Sequence, residues 1–314
     1  MTRKIIIDCD PGIDDAVAIC MALFDPRLDV LAITATPGTV NADRATANVT
    51  AIVNELDPPR YPRIGKAAPS EHPTVSDDSA LLHGSDGLGG CNFATSARQH
   101  QPSSEKVISE LLHQYPNEVT LVCLGPLTNL AKLCRLDPTS VELINSVIIS
   151  GGSVAHPGNA TTVAERNMHF DPNSARDVFS SPTTKLLVPM DVTEQVLFGV
   201  ELLEKIPDRF TRVGGLLHKF IPFAFRTAHQ RLGRELIPLY DPTTLVSLLE
   251  PELFTWKAMA GRVETQGELT RGMTVFDQRL RSEWPENMEV AIDVDAKEAK
   301  ASIIRSIRYA GQNT

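Results

Sequence analysis

The chain has 314 residues, 42% of them hydrophobic, so it can bury a sizeable core in one large α/β domain or in two smaller ones. Its formal net charge is -9 and it has no dense run of Lys or Arg, which argues against a polyanion-binding surface. Nucleic acid is therefore not an expected partner, whereas small molecules or proteins are.

The N-terminus runs from Met1–Lys4 directly into Ile5–Ile7 and then into aspartates, which is too short and too soon charged for a signal-peptide core. No apolar run reaches the length that spans a membrane, so no membrane association is expected. The five cysteines form no Cys-x-x-Cys pair, and an odd number without an export signal fits reduced thiols. We therefore expect a cytoplasmic protein.

Short apolar runs alternate with stretches of helical period, which is the pattern of βαβ units wound into a mostly parallel sheet. The predicted strands are Lys4–Ile7, Val30–Ala35, Val119–Leu124, Ser146–Ser150 and Lys185–Met190. The predicted helices between them are Asp15–Phe24, Asp43–Leu56, Ser104–His113, Leu127–Leu136 and Asn173–Phe179. Several of these helices open behind an Asp, Ser or Asn that is suited to capping.

The second half is less regular, with helical stretches near Leu216–Arg231 and Pro242–Leu249 and strands near Lys257–Glu264 and Met288–Val294. It contains no internal repeat and no Gly- or Ser-rich linker that would mark a boundary. The predicted fold class is α/β: a single domain over residues 1–314, with an open, mostly parallel, Rossmann-like sheet and helices on both faces.

An acidic loop follows the first predicted strand, where Asp8, Asp10, Asp14 and Asp15 lie within eight residues. Two carboxylates about 4 Å apart repel by roughly 4 kcal/mol at an effective dielectric constant near 20, so a partly buried cluster needs a proton or a cation. A divalent cation with oxygen ligands supplies that compensation. Alternatively, Asp14 merely caps the helix and Asp8 and Asp10 are solvated, which is the better interpretation for any one of them alone; the four together favour a metal.

The loop from Asp8 to Ala16 resembles the N-terminal signature of the inosine-uridine-preferring nucleoside hydrolase family. Further resemblances follow in chain order, from Ile5 to beyond Val294: Asn41 after Thr36–Gly38, the loop His83–Leu88, the turn Gly125–Asn129, the segments Gly158–Asn159 and Ala164–Asn167, and Asp241–Pro242. The resemblance implies an N-ribosyl hydrolase of purine and pyrimidine salvage that converts ribonucleosides to ribose and free nucleobase. It also implies a homodimer or homotetramer.

The resemblance further implies that Ca2+ is bound by Asp10, Asp15, the backbone carbonyl of Thr128, and Asp241, with the ribose 2′- and 3′-hydroxyls and a water completing an all-oxygen shell. Asp10 would act as general base on the metal-bound water, and an anionic pocket would favour an oxocarbenium-like transition state. The sugar hydroxyls would be held by Asp14, Asn41, Asn159, Glu165 and Asn167.

Some of these assignments have structural alternatives. Asn41 and Asn159 could be turn residues, since Asn is common in turns, and Thr128 could be an ordinary residue of a first helical turn. Glu165 and Asn167 lie two apart, which places both on one side of an extended segment.

The nucleobase end departs from the family pattern, because many relatives have a histidine directly before the last metal-binding aspartate and this chain has Tyr240–Asp241. Tyrosine could donate a proton or hydrogen bond, but its unperturbed pKa, near 10, is not tuned like that of imidazole. His83 and His229 are further candidates for the contact with the leaving base. His83 is favoured, whereas His229 could equally be an exposed histidine on a helix face.

Two other functions fit parts of the sequence. An Asp-based phosphohydrolase would explain Asp8-Cys9-Asp10 but not the later motifs, and a nucleoside- or calcium-binding paralogue that has lost its acid would explain Tyr240. Because the metal ligands and the proposed base are all present, catalysis is favoured. The sequence leaves the preferred nucleobase open.

Overall fold

The computed structural model describes residues 2–70, 77–93 and 101–314. Its strands are β1 Arg3–Cys9, β2 Leu28–Ala35, β3 Arg63–Gly65, β4 Val119–Cys123, β5 Ser146–Ser150, β6 Lys185–Val188, β7 Leu197–Phe198, β8 Ile237–Pro238, β9 Phe254–Met259, β10 Gly261–Val263, β11 Thr274–Phe276 and β12 Met288–Val294.

The helices alternate with these strands. They are α1 Ile13–Phe24, α2 Ala42–Leu56, α3 Asp77–His83, α4 Ser104–Gln114, α5 Thr128–Leu136, α6 Pro138–Val141, α7 Arg166–Phe170, α8 Pro172–Phe179, α9 Met190–Thr193, α10 Arg212–Thr227, α11 Tyr240–Leu249 and α12 Ala296–Gln312. Short 3₁₀ turns span Val200–Glu204 and Pro251–Leu253, and a π-helical turn spans Ala228–Leu232.

The central sheet has eight strands in the order β3-β2-β1-β4-β5-β6-β12-β9. All neighbours pair in parallel except β12 and β9. Alternate residues of β1 belong to two different hydrophobic clusters. Ile5 and Ile7 share a cluster with residues of α1, α10 and α12, whereas Ile6 shares one with residues of α4 and α5. Helices therefore cover both faces, which confirms the predicted α/β class; that the chain forms one domain stays a prediction.

The strand predicted near Lys257–Glu264 is two strands in the structure, because β9 ends at Met259 and β10 belongs to a separate antiparallel pair with β11. At the break, the side-chain amide of Asn287 accepts from the Gly261 N–H at 2.8 Å and donates to its carbonyl at 2.9 Å. The predicted strand Lys185–Met190 is too long, since β6 ends at Val188 and Pro189 precedes α9. Helix α12 was not predicted at all.

The order of the strands positions the site. The chain builds β1, β2 and β3 toward one edge and then returns to the other side of β1 for β4, β5 and β6. Open α/β sheets bind ligands where the strand order reverses, beyond the carboxyl ends of the strands. Within the described ranges, no helix combines the length and the continuous apolar character needed to cross a bilayer.

Candidate active site

A cavity of about 760 Å³ lies beyond the carboxyl ends of the central strands. Residues that follow β1, β2, β4 and β5 line it, together with the segment that runs from the end of α10 into α11. Its charged lining comprises Asp10, Asp14, Asp15, Glu165, Arg166, Glu194, Arg231, Arg234 and Asp241.

Asp10 is the first residue after β1 and is buried at this cavity. Its Oδ2 accepts a hydrogen bond from the Thr39 N–H at 2.6 Å. The backbone at Gly38 and at Gly125 lies so close that a Cβ there would be 2.2 Å from Oδ2 and 2.4 Å from Oδ1, respectively. Burial, and then the charge of Asp15, raise the pKa of the Asp10 carboxyl well above its usual range.

A cluster of three carboxylates lies beside Asp10: oxygen atoms of Asp14, Asp15 and Asp241 are all within 4.8 Å of one another. The Oδ2 of Asp15 accepts from the Gly12 N–H at 2.8 Å, while its buried Oδ1 has no partner among the described residues. Burial raises the pKa of Asp15 to about 7 and that of Asp241 well above its usual range, and the charge of Asp14 adds to both shifts. The unpartnered oxygen and the all-oxygen donors fit a divalent cation.

This cluster differs from the predicted ligand set, because it contains Asp14 and does not include Asp10. Thr128 opens α5 and donates its hydroxyl to Asp171 at 2.9 Å, and it is not among the residues that line the cavity. A role for the Thr128 carbonyl therefore stays a prediction from the resemblance.

Asp8 supports the acidic loop from below. It is buried, and its Oδ1 accepts from the Thr34 hydroxyl at 2.6 Å and from the Asn129 amide at 2.8 Å. Burial raises the pKa of Asp8 to about 7. The alternative in which Asp8 and Asp10 are solvated loop residues is wrong, since both are buried.

The predicted ribose segment lines the cavity, and its polar side chains also hold the backbone. Glu165 caps α7, accepting from the Asn167 N–H at 2.9 Å and the Gly152 N–H at 3.0 Å. Asn167 donates to the carbonyl of Leu124 at 2.8 Å. Asn159 accepts from the Arg166 N–H at 2.8 Å. These contacts fix the strand ends at the cavity, while the sugar-binding roles stay predictions.

Asn41 lies elsewhere. It is exposed, accepts from the Arg44 N–H at 2.9 Å as the N-cap of α2, and is not among the residues that line the cavity. This placement corresponds to the structural alternative for Asn41, and its predicted contact with the sugar has no support from the described geometry.

His83 ends α3 and lines the cavity. Its Nδ1 accepts from the Ile13 N–H at 3.1 Å and lies 3.9 Å from an oxygen of Asp14. A backbone N–H can only donate, so Nδ1 holds a lone pair and the proton is on Nε2. Burial lowers the pKa of His83, which favours this neutral form. A Cβ at Gly12 would come within 2.8 Å of the ring.

The other two candidates at the nucleobase end differ from each other. His229 is 64% exposed, contacts Glu235 at 2.9 Å and is not among the residues lining the cavity, as the helix-face alternative describes. Tyr240 lines the cavity, and its hydroxyl donates to Glu194 at 2.6 Å. Burial, followed by the charge of Glu194, raises the pKa of Tyr240.

Sequence reasoning missed Glu194 and Arg234, although Glu194 follows shortly after β6 and so lies at the edge where ligands bind.

The chain matches the family model described as inosine-uridine preferring nucleoside hydrolase over residues 5–301. It belongs to this nucleoside hydrolase family. The resemblance in the acidic loop and the later motifs is thereby confirmed, and the enzyme is a hydrolase of N-glycosidic bonds. The comparison gives no support to the alternative of an Asp-based phosphohydrolase.

Curated and solved relatives agree with the family assignment. A protein named non-specific ribonucleoside hydrolase RihC from Salmonella paratyphi A is 36% identical over 93% of both chains, and its counterpart from Salmonella enteritidis is 35% identical over 98% of both. Among solved structures, the plant nucleoside hydrolase PpNRh1 has a TM-score of 0.90 at 29% identity, covering 98% of this nucleoside hydrolase and 99% of its own chain. A purine-preferring ribonucleoside hydrolase from Gardnerella vaginalis has a TM-score of 0.91 at 27% identity, covering 99% and 100%.

Proposed function

We propose that this enzyme hydrolyses ribonucleosides to ribose and free nucleobase in a Ca2+-dependent reaction in which Asp10 is the general base. The observation that carries the proposal is the cluster of the half-buried Asp14 with the buried Asp15 and Asp241 next to Asp10, with one Asp15 oxygen unpartnered among the described residues. Carboxylates this close are stable together only with protons or a cation.

The cluster suits Ca2+ because its donors are all oxygens and come from two different parts of the chain, the start of α1 and the start of α11. Asp14, Asp15 and Asp241 would hold the ion. When bound, it supplies attraction for the ribose hydroxyls and lowers the pKa of a neighbouring water.

Asp10 is placed to accept the proton of the attacking water. The Thr39 N–H, together with the backbone at Gly38 and Gly125, fixes the position of its carboxylate at the cavity. The water oxygen then bonds to C1′ of the ribose, while the C1′–N bond breaks with both electrons on the base nitrogen.

The remaining residues orient the nucleoside. Asn159, Glu165 and Asn167 line the cavity at the ends of β4 and β5, where they would bind sugar hydroxyls. His83 presents Nε2 as a hydrogen-bond donor, because its Nδ1 is used by the backbone of α1. It would donate to the leaving base.

We extend the proposal to a broad range of nucleobases, since the curated relatives that are 35–36% identical are named non-specific. A role in purine and pyrimidine salvage, a cytoplasmic location and a homodimeric or homotetrameric assembly are part of the same proposal and rest on the sequence and its resemblance.

The decisive experiment measures ribose release from inosine, uridine, cytidine, adenosine and guanosine, with and without a chelator. We expect release from several of them, loss of release with chelator, and recovery on adding Ca2+. Asp10→Ala should abolish turnover even at saturating Ca2+. Nucleoside binding without ribose release in the wild type would instead indicate a binding protein, and full activity of Asp10→Ala would assign the base role to another group.

A further inference from the structure

Glu194 holds two side chains at the cavity by hydrogen bonds. Its Oε1 accepts from the Tyr240 hydroxyl at 2.6 Å, and Nη1 of Arg234 donates to its two carboxylate oxygens at 3.2 and 3.3 Å. The Glu194 side chain is only 11% exposed, so its charge depends on these partners. All three residues line the cavity.

A small antiparallel ladder explains how these residues meet. In it, β7 pairs with β8, with Leu197 opposite Pro238. Glu194 precedes β7, while Arg234 and Tyr240 lie on either side of β8, so the ladder brings the three side chains together. The Glu194 backbone is itself fixed, because its N–H donates to the Met190 carbonyl at the start of α9.

The direction of the hydrogen bonds decides what each group can offer a ligand. An ionised carboxylate only accepts, so the Tyr240 hydroxyl donates its proton to Glu194 and its oxygen can otherwise only accept, with the Asn159 side chain among its partners. A guanidinium has five N–H donors, and both contacts with Glu194 are made by Nη1. Arg234 can therefore keep its contact with Glu194 and donate from its other nitrogens to a bound base.

The reaction creates the charge that such a guanidinium would stabilise. When the C1′–N bond breaks, positive charge develops on the ribose and negative charge on the base. The carboxylates around Asp10 stabilise the positive charge on the ribose, and a fixed cation beside the base stabilises the negative charge on the base. Building on the N-glycosidic hydrolysis proposed above, we propose that Arg234 stabilises the departing base as it becomes an anion and that Glu194 is the positioning residue that holds Arg234 there.

The proton balance of this step is complete without an acid at Tyr240. One proton of the attacking water goes to Asp10, and its oxygen and remaining proton become the anomeric hydroxyl of ribose. The base leaves with the electron pair of the broken bond and takes a proton from solvent, while Asp10 returns its proton to solvent.

The test compares two kinds of leaving group in full-length, Ca2+-loaded enzyme. Uridine and inosine leave as poorly stabilised anions, whereas 4-nitrophenyl β-D-ribofuranoside leaves as a stable phenolate that needs little help. We expect Arg234→Gln to lower kcat for both nucleosides by about 10²-fold, the typical effect of removing one charge-stabilising donor. Glu194→Gln should lower kcat less, by about tenfold, because the guanidinium stays present and only its position is less well fixed. Both variants should hydrolyse the nitrophenyl riboside within about threefold of wild type, as the loss is confined to base departure.

Arg279→Gln is the matched control. Arg279 is 57% exposed and pairs with Asp277, much as Arg234, 47% exposed, pairs with Glu194, but it is not among the residues lining the cavity. It should leave both activities unchanged. Arg234→Lys keeps the charge but not the planar fork, and should recover part of the nucleoside activity.

Equal losses on both kinds of substrate, or no loss on nucleosides, would overturn the inference while leaving the hydrolase function intact. Unfolding temperatures of all variants, measured with Ca2+, show whether a loss of activity reflects misfolding. If Arg234→Gln is misfolded, the kcat values of Arg234→Lys on the two kinds of substrate test the inference instead. A wild-type enzyme that released ribose from the nitrophenyl riboside but from no nucleoside would refute the proposed function itself.

Discussion

Replacing Gly38 by Ala should displace Asp10, the proposed general base, without replacing any ionisable group. The added Cβ would stand 2.2 Å from Oδ2 of Asp10 and 2.7 Å from its Cγ. Ordinary van der Waals contacts of a Cβ begin at about 3.4 Å, so the carboxylate must move by about 1 Å. Since Asp10 is buried and its Oδ2 also accepts from the Thr39 N–H, this movement breaks or lengthens that hydrogen bond.

A displacement of about 1 Å at a reacting group costs on the order of 10²-fold in rate. We therefore expect Gly38→Ala to lower kcat for uridine and inosine by about that factor, with a smaller change in KM, because the segment proposed to bind ribose is untouched. The overpacking should lower the free energy of unfolding by about 1–3 kcal/mol. Steady-state kinetics at saturating Ca2+ and urea unfolding measure the two effects.

Gly215→Ala is the control for Gly38→Ala. A Cβ at Gly215, within α10, would have its nearest neighbour, the Arg209 carbonyl, at 3.3 Å, and Ala is a better helix former than Gly. Its kcat should equal that of wild type. If Gly38→Ala retained full kcat, either Asp10 would not be the base or its position would not limit the reaction.

Three further variants test the neighbouring groups. His83→Ala removes the Nε2 donor and should lower kcat for uridine by about 10²-fold, far more than it changes KM, in steady-state assays; an unchanged kcat would remove His83 as the contact of the leaving base. Tyr240→Phe leaves the ion pair between Glu194 and Arg234 in place and should lower kcat by less than about tenfold, whereas loss of a true general acid would cost about 10²- to 10⁴-fold. Asp8→Asn should flatten the pH dependence of unfolding: burial raises the pKa of Asp8 from 3.8 to about 7, so its folded form holds the proton more tightly and the wild type loses stability as pH rises between these values. At about 1.4 kcal/mol per pKa unit, the pH-dependent part of the free energy of unfolding that Asp8→Asn removes is about 4 kcal/mol. If the free energies of unfolding of the two proteins changed in parallel between about pH 4 and 8, this role of Asp8 would be contradicted.

Much of the central sheet could be predicted from local sequence, because its strands are buried on both faces. The run Ile5–Ile7 is apolar at every position, as a parallel strand covered by helices on both sides must be. Helix α12 was missed although its signals were present: Asp295 accepts from the Glu298 N–H as a cap, and Ile303 and Ile307 are four residues apart on its buried side.

The break between β9 and β10 could not be predicted in the same way. Ala260 and Gly261 are weak strand formers, but the apolar residues on either side continue a strand pattern, so local propensity does not decide whether the strand ends there. The reason is tertiary: the side chain of Asn287 takes both hydrogen-bonding groups of Gly261 and replaces a neighbouring strand at that point.

The site shows the same division. The acidic loop was predictable because charged side chains at the carboxyl end of a buried strand are typical of a ligand site. Which of its carboxylates meet was not, since this depends on how the backbone turns after Asp10, and it is Asp14 that lies within reach of Asp15 and Asp241. The contact between Glu194 and Tyr240 joins residues 46 positions apart through the small ladder of β7 and β8, which no local pattern reveals.

The two ends of the cavity are supported by separate parts of the fold. Asn48, buried in α2, donates to the carbonyl of Pro11 at 3.3 Å and to that of Asp86 at 2.8 Å, so the acidic loop and the loop after His83 are held to one side chain. Asp86 in turn accepts from three backbone N–H groups of its own loop, at 2.7 to 3.0 Å. Glu194 and its partners depend instead on the ladder of β7 and β8. Substitutions at that ladder can therefore change how Glu194 and Arg234 are held while Asp10, Asp14 and Asp15 in the acidic loop keep their positions.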